Sequence, residues 1–230
     1  MIAMKPSLLA SLKSSADAVV DQVLLHGSSG MLAAPRSEVG FVAAVTLGGV
    51  KGIASAWSRL LKPFGLKLEM HSVFCHAAPV VEFQSARGSA IGCELADLLV
   101  VIDYVGLNGQ TRRRASLIQA KMASKANRVS LIGSSSDKQL YLYQNWPRFK
   151  FRETVYGRGH YDLTSTGNGH SGSFGVIDRH LKSSTGRPPV WTQHDARPTP
   201  VRVTNEPTLG EFLARMIVGR SGVCGRVAFP

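Results

Sequence analysis

Residues 94–121 read ELADLLVVIDYVGLNGQTRRRASLIQAK, and the reading of this stretch decides the fold. Residues 95–105 form a near-continuous apolar run, which suits a central strand buried on both faces. Asn108-Gly109 is a hairpin signal, and residues 111–121 form the partner strand. Glu94 and Asp97 open the stretch, while Gln119 and Lys121 close it. Antiparallel pairing brings the two ends together. Carboxylates beside a lysine can hold a divalent metal and activate water against a phosphodiester.

Register decides whether they meet, because side chains alternate faces along a strand and a one-residue slip inverts them. A two-residue Asn108-Gly109 turn pairs Asp97 with Ala120 and sends Gln119 and Lys121 to the far face. A three-residue loop, Leu107-Asn108-Gly109, pairs Gly106 with Gln110. Asp97 then lies opposite Gln119, with Lys121 on the same face, and Gly109 takes the left-handed position that this loop requires. A metal site predicts the second register.

Outward from the hairpin, residues 7–26 read as an amphipathic helix, with Leu8, Leu12, Val19 and Val23 near helical spacing and a stop at His26-Gly27. Residues 38–61 read as helical in part, broken near Gly48-Gly49 and ended by Pro63. Residues 67–76 make a first strand. Pro79 interrupts it, and residues 80–83 resume as a short extended piece. A helix follows Ser136 and stops before Pro147. Residues 154–197 are rich in Gly, Ser, Thr and His, with short strands at 174–177 and 190–193. Leu209, Phe212, Leu213, Met216 and Ile217 mark a C-terminal helix. The expected fold is α/β, a mixed central sheet flanked by helices, in a single domain over 1–230. It has a helical part at 1–66, a core at 67–153 and a loop-rich part at 154–230.

The net charge of +12 is unevenly placed. Between Gly106 and Arg158 stand eleven Lys/Arg against two acids, nine of the twelve net positive charges. Such a surface attracts polyanions, above all nucleic acids. Cys75, Cys93 and Cys224 are odd in number and widely spaced, which excludes a disulfide framework and a zinc ligand spacing. No uninterrupted apolar run reaches about 18–20 residues, and no secretory signal pattern opens the chain. The expectation is a cytoplasmic protein with no membrane partner. No nucleotide-binding Gly-rich loop or serine elbow is present.

Asp97 on one strand, Gln119-Ala120-Lys121 on the next, and Gln139-Leu140-Tyr141-Leu142-Tyr143 on the following helix resemble the PD-(D/E)xK nuclease superfamily. The QxK form is similar to its Mrr-like branch, and the Q-h-x-x-Y helix to its RecB-like nucleases. The likeness covers roughly residues 67–146 and implies a restriction-endonuclease-like core. It implies Mg²⁺ or Mn²⁺ as cofactor, held by Asp97, Gln119 and Glu94, with Glu82 competing for the extra acidic place. The implied catalytic set is Asp97, Gln119, Lys121 and Glu94. The substrate is nucleic acid, expected to be DNA, in a role such as bacterial restriction or antiphage defence, with a homo-oligomer or a defence-system protein as further partner. Gln139 and Tyr143 would brace the site or contact DNA. Arg112, Arg113, Arg114, Lys125, Arg128, Arg148, Lys150 and Arg152 would grip phosphates, largely blind to sequence.

Two alternatives stand beside this reading. A catalytically inactive nuclease-like module would bind nucleic acid or a partner without cutting it. A histidine-based metallohydrolase would use His160, His170, His180 and His194, although their spacing matches no zinc motif.

Overall fold

The computed structural model of the chain describes residues 5–31, 33–105, 109, 111–124, 129, 134–163, 171–180, 189–196, 206–218 and 226–227. Among these residues five α-helices, α1 (Pro6–His26), α2 (Glu38–Ala44), α3 (Val50–Leu61), α4 (Ser134–Asn145) and α5 (Leu209–Val218), flank two sheets. Their strands are β1 (Lys67–Phe74), β2 (Val80–Gln84), β3 (Ala90–Glu94), β4 (Leu98–Val105), β5 (Thr111–Met122), β6 (Phe149–Phe151), β7 (His160–Tyr161), β8 (Gly172–Asp178), β9 (Val190–His194) and β10 (Arg226–Val227). The mixed α/β architecture is the expected one.

The larger sheet runs β1-β4-β5-β8-β9, with β10 also on β5. β4 runs antiparallel to both of its neighbours, β1 and β5. The chain then crosses over through α4 and returns as β8, parallel to β5. The smaller sheet, β3-β2-β6-β7, is antiparallel. Its β2–β3 hairpin is inserted between β1 and β4. β8 and β9 come from beyond residue 153, so the core sheet extends into the segment read as loop-rich.

The β4–β5 register pairs Leu98 with Ile118 and Val105 with Thr111. That is the register the metal site requires. Gly109 has φ +72°, as the left-handed position demands. Residues 106–108 and 110 lie outside the described residues.

Burial alternates along β4: Leu98, Val100, Ile102 and Tyr104 are buried while the residues between them are half-buried. The buried set joins Leu12, Val20, Phe41, Ile53, Trp57, Leu61, Phe212 and Leu213 in a core between the sheet and α1, α2, α3 and α5. A second core on the opposite face gathers Val81, Leu140, Leu142, Tyr143, Trp146, Phe174 and Val176 beneath α4 and the small sheet.

Gly48-Gly49 does not break the helix. Both lie in a π-helical turn, Val45–Gly49, that carries α2 into α3. Gly48 and Gly52 serve close packing instead, since a Cβ there would stand 2.5 Å from Ser28 Cβ and 2.8 Å from Val19 Cγ1. The resulting stretch Glu38–Phe64 is long and apolar enough to cross a membrane, which the search for uninterrupted apolar runs overlooked. Val50, Ile53, Trp57 and Leu61 nevertheless face the core, and Trp57 Nε1 donates to the Leu12 carbonyl at 2.8 Å.

Candidate metal centre

Asp97 stands at the head of β4, held from both sides. Its N–H donates to the Ile118 carbonyl (3.0 Å) and its carbonyl accepts from Cys75 N–H (2.8 Å). The side chain is fully buried. Burying a carboxylate is costly unless donors surround it, and here they do. Oδ2 accepts from Ala120 N–H at 2.8 Å and from Gln119 Nε2, and Oδ1 lies 2.7 Å from His76 Nδ1. Gln119 is itself buried, and its Oε1 has no hydrogen-bond partner among the described residues.

His76 reaches the site from the turn after β1, about one-third exposed. The hydrogen bond to the Asp97 carboxylate holds its pKa above the ordinary histidine value, against the opposing effect of burial. Glu94, the last residue of β3, completes a cluster with His76 and Asp97, whose ligand atoms all lie within 4.8 Å of one another. The centre therefore forms where the small sheet hands the chain to the large one. An imidazole nitrogen, two carboxylates and an unpartnered amide oxygen fit a divalent cation.

Lys121 follows Gln119 on the same face of β5 and is half-buried. Its charge acts on Glu38, the first residue of α2. Burial pushes the Glu38 carboxyl up; Lys121 pulls it down and Asp97 adds to the rise. Glu38 Oε2 accepts from Met122 N–H at 3.1 Å, which ties α2 to the end of β5.

The remaining expected residues separate into groups. Gln139 and Tyr143 are buried, and the Tyr143 hydroxyl donates to the Leu95 carbonyl at 2.7 Å. Tyr143 thereby braces the chain two residues before Asp97, and both side chains are turned away from solvent. Arg113 is engaged by Asp103, Nε–Oδ1 2.7 Å and Nη2–Oδ2 2.9 Å. Asp103 lies six residues along β4 from Asp97, about 20 Å at strand rise. Arg112 and Arg114 pair with Tyr104 and Ile102, on the opposite face of the ribbon. The arginine run therefore lies far from the cluster. Lys150 and Arg152 both engage Glu82, at 3.3 and 3.0 Å. Glu94, and not Glu82, stands in the cluster with His76 and Asp97. Arg148 is exposed, and Lys125 and Arg128 lie outside the described residues. Of the four histidines in the alternative reading, His160 on β7 and His180 after β8 are exposed and His194 is buried on β9; His170 lies outside the described residues.

His76 and Glu38 escaped the sequence reading. His76 looked like a strand terminus, with Pro79 beyond it as the sole sign that the chain turns there. Ser37-Glu38 carried a helix-start signal, and Ser37 does cap α2 through Gly40 N–H (3.2 Å). Nothing in one dimension linked either residue to Asp97. No protein-family model, curated protein or solved structure matches the chain, so the reading of the site rests on its own geometry.

Proposed function

We propose that the chain is a metal-dependent nuclease that hydrolyses phosphodiester bonds of DNA. The observation that carries this reading is the Asp97–Gln119 hydrogen bond across adjoining strands, with Lys121 two residues on along the same face. His76 and Glu94 converge on the same carboxylate. Asp97, Glu94, His76 and Gln119 Oε1 are the residues to hold Mg²⁺ or Mn²⁺. A divalent cation there polarises the scissile phosphate and lowers the pKa of water. Lys121 orients the attacking water and offsets the negative charge that develops on phosphorus oxygens. Exposed Arg112, Arg148, Lys150 and Arg152 supply a positive field that draws in the backbone of the substrate. The free thiols of Cys75 and Cys93 fit a reducing, cytoplasmic setting.

One observation favours the inactive binding module instead. Both oxygens of Asp97 are already satisfied by protein donors, so a cation must displace the proton between His76 and Asp97. Plasmid DNA incubated with the purified protein and Mg²⁺ or Mn²⁺ separates the two. The nuclease reading expects nicking that EDTA abolishes and that Lys121→Ala lowers at least about 100-fold. Binding of DNA without cleavage under either cation overturns it.

A further inference from the structure

We infer that His76 is a direct ligand of the cation and that it makes the centre select Mn²⁺ over Mg²⁺. This rests on the metal-dependent reading of the same site. Its grounds are the placement of an imidazole where the hairpin motif supplies none. The chain turns sharply after β1, with Ala77 at φ +69°, and delivers Nδ1 to 2.7 Å from Asp97 Oδ1. An octahedral ion with bonds of about 2.1 Å holds its ligands about 3 to 4.2 Å apart. The His76, Glu94 and Asp97 ligand atoms lie within 4.8 Å of one another; the His76–Asp97 pair, at 2.7 Å, opens by about 0.3 Å and a pair at the outer limit closes by about 0.6 Å or more to meet that range.

A second observation points to a cation independently of the acidic pair. Gln119 is buried, its Nε2 is fixed on Asp97, and its Oε1 is left with no partner among the described residues. A buried carbonyl oxygen with nothing to accept from is costly. A cation beside Asp97 relieves it.

The donor set then chooses the metal. Mg²⁺ is hard, keeps oxygen ligands and gives up water reluctantly. Imidazole is a borderline donor that favours first-row transition ions, whereas carboxylate and carbonyl oxygens suit Mn²⁺ as well as Mg²⁺. One nitrogen among three oxygens selects Mn²⁺ from that pair.

The test uses the full chain stripped of metal by chelator. Mn²⁺ binding is followed by the electron paramagnetic resonance of the free ion, and Mg²⁺ affinity by competition. Pulsed resonance of the Mn²⁺-loaded protein reads directly bound nitrogen. The wild type is expected to bind Mn²⁺ at least about 10-fold tighter than Mg²⁺, with a nitrogen coupling from imidazole. His76→Ala should abolish that coupling and weaken Mn²⁺ about 10- to 100-fold while changing Mg²⁺ less than about 3-fold. His76→Gln, which offers an oxygen, should lose the nitrogen signal and flatten the preference. Should the alanine variant not fold, the wild-type nitrogen signal and the glutamine variant carry the test. Absence of saturable Mn²⁺ binding, absence of nitrogen coupling in the loaded wild type, or equal losses for the two ions overturns the inference. Cleavage without nitrogen coupling sinks the ligand assignment and leaves the nuclease standing. Nitrogen-bound Mn²⁺ without cleavage of any DNA does the reverse.

Discussion

Both oxygens of Asp97 accept hydrogen bonds inside the protein, so replacing this residue affects folding as well as chemistry. In Asp97→Asn one oxygen becomes an NH₂ that faces existing donors. With the carboxylate fully buried, the expected loss is about 1–3 kcal/mol in urea unfolding, together with loss of Mn²⁺ binding. An unchanged urea midpoint contradicts the hydrogen-bond assignments. His76 carries a pH dependence whose sign follows from its raised pKa. Its contact with Asp97 stabilises the metal-free fold fully below the ordinary histidine value, and that stabilisation is lost as pH rises through the folded value. In chelator-treated protein, the gap in urea midpoint between wild type and His76→Ala should therefore narrow as pH rises above the ordinary histidine value of about 6.5. A gap independent of pH rules the contact out. Asp97, Gln119 and Lys121 were legible in sequence because one hairpin carries all three and period-two alternation fixes their side. His76 and Glu38 come from 21 and 59 residues before Asp97, where no periodicity operates.

Helix α4 acts on the site through one hydroxyl. Tyr143 lies under the sheet against Phe174 and Trp146, and its bond to the Leu95 carbonyl fixes the chain two residues before Asp97. Burial pushes the phenol well above its ordinary pKa, so it remains a donor across the working range. Tyr143→Phe keeps the ring and leaves a buried carbonyl unpaired, at a cost of about 1–2 kcal/mol in denaturant unfolding. Gly172, at the start of β8, has no room for a side chain: a Cβ would stand 2.7–2.9 Å from three Tyr143 ring atoms. Gly172→Ala should cost about 1–3 kcal/mol, and a neutral effect would show that α4 moves freely against β8. The existence of α1, α4, α5, β8 and β9 was readable because each carries a clean apolar stripe or a run between Gly/Pro-rich breaks. β3 was missed, since AIGCE (residues 90–94) offers neither alternation nor β-branched density and owes its extended form to pairing with β2. The π-turn was missed for a related reason: two glycines signal a break in isolation, and the close approach of α1 and its following loop turns them into a packing device.

Across the whole molecule, the His76–Glu94–Asp97 cluster sits between a large sheet backed by apolar helices and a small sheet edged with cations. Arg148, Lys150 and Arg152 are exposed on or beside β6, and two of the three are held by Glu82, whose own carboxyl they keep below the ordinary range, Arg152 foremost. The positive field thus carries an internal counterweight, and that predicts how binding responds to salt. Each phosphate contact contributes about −0.9 to the slope of log K against log salt. With about four to five contacts, affinity for a duplex should fall about 150- to 500-fold between 50 and 200 mM salt. Glu82→Gln removes one negative charge and frees Lys150 and Arg152 for phosphates. At fixed salt it should tighten duplex binding about 3- to 10-fold and steepen the slope by about one contact. The pairs are solvent-exposed, so the unfolding midpoint should stay within the small range of surface ion pairs. Fluorescence anisotropy with a labelled duplex, titrated at several salt concentrations, reads both quantities. A slope unchanged by Glu82→Gln would mean that the small sheet does not face the nucleic acid, and the grip would then belong to the Arg112 end of the β4–β5 ribbon, about 20 Å from Asp97.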